Sequence, residues 1–290
     1  MSGLGILFMR RGTQAHPTAG SDYIKFKDEE VLRVLMANGV SSDGVGITKE
    51  DAAKVTDIKY WFSQNSVITS FDELQYFTGL KVLAGSNELY GAFAKCTSLQ
   101  SLILPDSIEE LQKWSISNCT SLTNLVLPKS IKRLTGTYIF RVVPAKFNAD
   151  FPLLETLANN AFCFAYGLQK VLNLGVITAI ADGAMYESTF NRCNELTTAI
   201  LPPTLTSIGK YGFSKNPLID TIILRSASVP TIQTTSFNEC PKLTSFYVRD
   251  ELVDSYKSAA NWSAYAAKIK GISQLATDNP SLYAEIKDYL

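Results

Sequence analysis

Five cysteines and a single histidine are the residues of this 290-residue chain best suited to act as nucleophile, base or metal ligand. Cys96, Cys119, Cys193 and Cys240 share one setting. Each stands three residues after Phe93, Ile116, Phe190 or Phe237 and three before Leu99, Leu122, Leu196 or Leu243. A thiol reacts or ligates as its thiolate, which needs a base, a cation or a second ligand nearby. No Cys-x-x-Cys pair and no cysteine–histidine cluster occurs, which argues against zinc. The same slot elsewhere holds Val142, Ala165 and Asn216, a pattern that describes a small buried residue. Stacked coils about 4.8 Å apart would bring Cys96 and Cys119 within disulfide range, with parallel side chains poorly aimed for the bond. Cys163 lies outside the slot.

His16 sits in Gln14–Ser21, part of a stretch, 1–21, that reads as a flexible N-terminus. A base without ordered surroundings is a poor catalyst, and a Ser-His-Asp or Cys-His arrangement would have to use it. No glycine-rich phosphate loop follows a strand, and no carboxylate pair has a recognisable setting. The residues therefore imply no catalytic site, no cofactor site and no metal site, and a protein that is not an enzyme.

The shared setting of the cysteines is one part of a longer repeat. Phe93-x-x-Cys96-x-x-Leu99-x-x-Leu102-x-Leu104-Pro105 returns 23 residues on as Ile116-x-x-Cys119-x-x-Leu122-x-x-Leu125-x-Leu127-Pro128. A fixed period in the twenties marks a leucine-rich solenoid. The equivalents of Leu99 are Leu122, Ala145, Leu168, Leu196, Ile219 and Leu243. The leucine run reads as a short strand, ended by Pro105, Pro128 and Pro202, which withhold a backbone donor. A second extended pair follows on the opposite wall, at Ile108 and Leu111, Ile131 and Leu134, Ile177 and Ile180, Leu205 and Ile208. Phe93, Ile116, Ile139, Phe162, Phe213 and Phe237 close the coils.

Two coils depart from the pattern. In the third, Ala145, Asn148 and Asp150 stand where leucines belong, so irregular geometry is expected over 139–153, with Phe147 and Leu153 as alternative anchors. The fifth carries extra residues, so Met185–Thr189 should loop out as a tolerated insertion or a functional loop.

Residues 22–85 read as a helical N-terminal cap, 86–249 as the solenoid and 250–290 as a helical C-terminal cap. Asp28–Gly39 has the apolar spacing of a helix stopped by glycine. Thr48–Asp51 and Ser70–Glu73 resemble capping boxes. Asp250–Ala260 fits a helix, with Trp262 and Tyr265 packing on the last coil. Asn279-Pro280 opens a terminal helix presenting Leu282, Tyr283, Ile286 and Leu290, to this chain or to a second one.

Lys+Arg and Asp+Glu are both 27, and this balance argues against nucleic acid or an anionic membrane as partner. No apolar run is long enough for membrane insertion. The start, Met1–Arg11, places its positive charges after a short apolar stretch, unlike a secretory leader.

The spacing Ala-Phe-x-x-Cys-x-x-Leu-x-x-Leu-x-Leu-Pro resembles the BspA-like leucine-rich repeat family, over roughly residues 86–249. Tyr247–Tyr256, Trp262 and Ile272-Ser273 resemble that family's closing cap. The resemblance implies an α+β repeat protein: a right-handed solenoid of about seven coils with short parallel strands and a helical cap at each end. It implies adhesion to proteins or neighbouring cells, at the cell surface or after secretion, and supplies no catalytic residue. Val40–Ala53 is similar to family members whose D-x-[DN]-x-D-G loop precedes Glu-Ala-Ala; here only Asp43 and Asp51 are good oxygen ligands, in the wrong register for calcium. The start also resembles leaderless relatives that look prophage-borne.

In each strand the residue between the last two core positions should face outward. Those residues are Ile103, Val126, Ala149, Leu172, Ile200, Ile223 and Tyr247, an apolar ladder of roughly 30 Å. It is either an interaction surface or a row of strand-favouring residues that neighbours cover. Beside it lie Gln100, Asn124, Lys170, Thr198 and Thr221, suited to hydrogen-bonding a protein or a glycan. On this reading Ile103, Val126, Leu172, Ile200, Ile223 and Tyr247 carry the partner, and charges at Ile200 and Ile223 abolish binding without disturbing the fold. The functional expectation is a non-enzymatic binding or adhesion module. The alternative is a structural or receptor-binding component of a larger, oligomeric assembly such as a prophage would encode.

Overall fold

The computed structural model describes residues 22–290; His16 and the stretch 1–21 lie outside the described residues. Each repeat folds into two short parallel strands joined by turns. Front strands Ser101–Ile103, Asn124–Val126, Phe147–Asp150, Leu168–Asn173, Thr198–Leu201, Thr221–Leu224 and Ser245–Val248 stack in chain order. The register carries Thr198–Leu201 onto Thr221–Leu224 residue by residue, and those onto Ser245–Val248. Alternation turns Leu102, Leu125, Ala199, Ile222 and Phe246 into the core. The back wall holds Glu110–Leu111, Arg133–Leu134, Thr156–Leu157, Ala179–Ile180, Ser207–Ile208 and Thr231–Ile232. The expected back-wall pairs from Ile108 to Ile208 are all buried.

A stack of phenyl rings runs along the axis. Phe140, Phe162, Phe190 and Phe213 follow one another at 5.4, 5.1 and 4.7 Å between centroids, with planes within 14° of parallel. Phe237 continues the row at 6.0 Å. Most coils also carry two left-handed residues four apart, such as Trp114 and Asn118 or Tyr211 and Lys215. Lys95, Asn118, Phe164, Arg192 and Lys215 all take φ between 55° and 60°. Their N–H groups donate to the next coil, as Lys95 does to Ser117 O at 2.8 Å and Asn118 to Arg141 O at 2.7 Å.

The third coil is irregular in a definite way. Its left-handed residues are Tyr138, φ 60°, and Val142, φ 54°, each one position later than the repeat places it. Phe140, beside the buried Ile139, joins the ring stack, and buried Val143 takes the slot expected for Val142. The slip turns Ala149 into the core, whereas it was expected to face outward. Asn148 and Asp150, expected inward, leave the core, and Phe147 and Phe151 fill it. Leu153 is exposed and anchors nothing. Among the described residues the front wall accordingly divides into a three-stranded and a six-stranded sheet, parting between Asn124–Val126 and Phe147–Asp150.

Both caps add a strand to the stack. Ser70–Phe71 pairs with Ser101–Leu102, and Ile269–Gly271 with Phe246–Val248. Ser70 therefore lies in a strand and does not open a capping box. The 3-10 turn Asp72–Tyr76 has no side-chain cap, and Glu73 accepts the Lys27 N–H at 3.1 Å. Helix α1, Glu29–Ala37, buries Val31, Val34 and Leu35 and ends before Gly39 at φ 74°. Its N-cap Asp28 accepts the Glu30 N–H at 2.9 Å and the Thr69 N–H at 2.6 Å, tying the helix to the first strand. Helix α2, Lys49–Lys54, has the expected reciprocal capping box between Thr48 and Asp51.

At the other end α3, Val253–Ser258, follows a 3-10 turn, Asp250–Leu252, so the helix is shorter than 250–260 implied. Trp262 packs edge-on against Phe246 at 5.4 Å and donates to Pro230 O at 2.7 Å, and Tyr265 sits 5.2 Å from Phe246. These rings close the last coil.

Phe190 stacks on a ring of the coil before it and a ring of the coil after it. Phe190→Ala should cost about 3–5 kcal/mol, measured by urea denaturation. A loss under about 1 kcal/mol would show that the stack contributes little.

Candidate partner-binding face

The outward row of the front wall has two unlike halves. In the C-terminal half, Leu172, Ile200, Ile223 and Tyr247 are buried. The cover is the chain's own C-terminal segment. Beyond residue 272 come α4, Leu275–Asp278, and α5, Pro280–Ile286, whose Leu275, Leu282 and Ile286 form an apolar cluster with those four rungs. Tyr283 faces outward. Asn279 caps α5, accepting the Leu282 N–H at 3.1 Å.

Polar contacts seat this segment along the wall. Tyr247 donates to Asp278 Oδ2 at 3.0 Å, and Lys270 Nζ pairs with the same oxygen at 2.7 Å. Burial and that acceptor push the Tyr247 hydroxyl up to about 12. Lys170 pairs with Glu285. Arg225 donates to Tyr289 O at 2.8 Å, and the Tyr289 hydroxyl reaches Asp150 Oδ2 at 2.9 Å. The segment thus runs back from the last coil to the third.

This corrects the expectation of one continuous exposed ladder. Leu172, Ile200, Ile223, Tyr247, Thr198 and Thr221 are buried, and Lys170 is occupied by Glu285. Physically, four adjacent apolar rungs are too much surface to leave in water when the same chain carries a complementary helix. Charges at Ile200 or Ile223 would unseat that helix, so they do not test partner binding alone.

In the N-terminal half no cover is present among the described residues. Val126 is 44% exposed and Ile103 half-buried. Gln100 and Asn124 are exposed beside them, Asn124 donating to Ser101 Oγ at 2.8 Å. The third-coil slip separates this open stretch from the covered one.

A row of half-buried cation–ring contacts, with only Tyr186 exposed, escaped the sequence reading. Arg141 lies over Trp114, Tyr138 and Phe164 at 5.2–5.4 Å. Arg192 spans Phe164 and Tyr186, and Lys215 stands 3.8 Å from the Tyr186 ring. Tyr186 comes from the looped-out insertion, which a bridge between Ala184 and Glu187 closes. Trp114, Tyr138, Phe164, Arg192 and Lys215 all occupy left-handed turn positions, which only the folded coil sets side by side.

Comparison with known proteins bears on the repeat. The family described as the BspA type leucine rich repeat region matches residues 89–188 and 183–272, in six copies. The chain belongs to the BspA-type leucine-rich repeat family. None of the curated proteins matches it. A leucine-rich repeat protein of Bacteroides ovatus is 15% identical, with a TM-score of 0.45 and 67% of this chain covered; the chain spans 58% of that protein's length. A leucine rich cell surface protein of Faecalibacterium prausnitzii is also 15% identical, with a TM-score of 0.31, covering 71% of this chain and 69% of its own.

In this BspA-type repeat the cysteine slot is a hydrogen-bond donor. Cys96 Sγ points at Phe62 O at 3.0 Å, Cys119 at Phe93 O, 3.1 Å, Cys193 at Phe162 O, 3.2 Å, and Cys240 at Phe213 O, 3.0 Å. Asn216 replaces the thiol with an amide, donating to Phe190 O and Phe213 O at 2.7 Å each. Burial pushes the thiols up, to about 12 for Cys119 and Cys163 and about 11 for Cys240. All five are free. Such thiols are poor nucleophiles and ligands.

The loop around Asp43 does not fit calcium. Its carboxyl, held down at about 2 chiefly by the Tyr23 hydroxyl, also accepts the Val45 N–H at 2.8 Å and the Gly46 N–H at 3.3 Å. Asp51 is spent on the capping box. No helix among the described residues is long and apolar enough to cross a membrane.

Ellman's reagent at pH 8 should leave Cys96, Cys119 and Cys193 unlabelled in the native protein and label all five cysteines in guanidinium chloride. Rapid native labelling of Cys119 would contradict the donor role.

Proposed function

We propose that this protein is a non-enzymatic recognition module that binds a protein partner through the open N-terminal part of its front wall. Leucine-rich repeat proteins generally serve as binding scaffolds, and the observation that carries the reading here is the wall itself. Over four rungs it holds a polypeptide segment, the chain's own, by apolar contact framed with hydrogen bonds and ion pairs. The uncovered rungs Ile103 and Val126, flanked by Gln100 and Asn124, offer the same mixture of groups. Apolar rungs set in a polar frame match the composition of protein interfaces. Adhesion at a cell surface, the role associated with BspA-type repeat proteins, is the context we propose for this binding.

Ile103→Asp with Val126→Asp tests the reading. Wild-type protein is screened against immobilised extracellular-matrix proteins and glycans, and each ligand found is titrated against the double variant. The variant should lose at least about tenfold in affinity, or about 1.4 kcal/mol, while its melting temperature stays within a few degrees of wild type. Undiminished binding would move the interface elsewhere.

A further inference from the structure

The C-terminal segment does more than close the end of the solenoid. That end is already shut by Trp262, Tyr265 and Tyr256, which pack with Phe237 and Phe246 in the main core. Residues 272–290 lie elsewhere, along the side of the stack, and their apolar contacts form a cluster separate from that core. Helices of four and seven residues are too short to hold themselves in water and depend on the wall for their form.

We infer that the front wall over coils four to seven is a groove for an amphipathic helix of a partner protein, which the chain keeps filled with its own terminal helix until that partner displaces it. The chemistry of the occupant is visible in the one present. Leu282 and Ile286, four residues apart, share one buried apolar cluster with Leu172, Ile200 and Ile223. Glu285, one residue before the second anchor, meets Lys170, and Asp278 meets Lys270. A partner helix needs two apolar residues four apart and carboxylates on the side facing these lysines.

Arg225 is where a partner can outdo the resident helix. Its guanidinium is half-buried and donates to the Tyr289 carbonyl, and among the described residues its Nε is buried with no acceptor. A cation so placed gains most from a carboxylate, which the resident segment does not supply. A helix that ends in an acidic residue there has the differential affinity that displacement requires.

The inference rests on the front wall being the recognition face. Its test uses no natural ligand, so its failure is distinct from failure at Ile103 and Val126. The probe is a fluorescein-labelled synthetic peptide of residues 275–290, titrated by anisotropy into full-length protein. The Leu282→Asp, Ile286→Asp variant, with its own helix unseated, should bind the peptide at least about tenfold more tightly than wild type, since a groove filled in cis taxes the apparent affinity by its open fraction. Adding Ile223→Asp should remove that binding. As a second reading independent of the first variant, Glu285→Lys, which sets two like charges against each other at Lys170, should bind the wild-type peptide more tightly than wild-type protein does. Equal binding by wild type and the unseated variant, or none by a variant with native circular dichroism and melting temperature, would overturn the inference. A stable dimer of the peptide-free variant in light scattering would overturn it too, assigning the groove to a second copy.

Discussion

No coil of this chain can bury its own apolar face. The Phe190 ring finds its two faces covered only by Phe162 in the coil before and Phe213 in the coil after. The backbone has the same dependence, because left-handed turn residues such as Lys95, Asn118, Phe164, Arg192 and Lys215 send their N–H groups forward to the following coil. Stability is therefore shared between neighbours, and both ends of the stack must be closed by something outside the repeat. The N-terminal helices tied by Asp28 and the Trp262 cluster answer that requirement.

The same dependence explains where chemistry is lost. A cysteine whose Sγ–H is aimed at a carbonyl of the preceding coil is a structural donor, and Asn216 shows that an amide serves in its place. The residues that looked most reactive are thus among the most firmly committed to packing. What the stack leaves free are its walls, and the function of the molecule lies there.

The third coil divides the front wall into two regions with different fates. Its one-residue slip turns Ala149 inward and interrupts the sheet after Asn124–Val126. On one side of the break the outward rungs lie under α4 and α5; on the other they meet solvent. The 3-10 turn after α5 reaches the break, where the Tyr289 hydroxyl donates to Asp150. A single irregular coil thereby marks the boundary between the covered groove and the open face.

The repeat, the inward leucines, the role of the cysteine slot as a small buried position and the capping box at Thr48 were legible in the sequence, because each depends on periodicity or on residues within one turn of each other. So was the existence of trouble in the third coil, though not its resolution, which depended on whether Ile139 or Phe140 would stack on Phe162. The outward apolar ladder was also legible, but its exposure was not. Whether Ile200 and Ile223 meet water is decided by Leu282 and Ile286, which are far along the chain and lie on the wall because the chain turns back beyond the last coil. Sequence spacing determines which residues share a face; only the tertiary structure decides what that face touches, because burial is a property of the neighbours as much as of the residue.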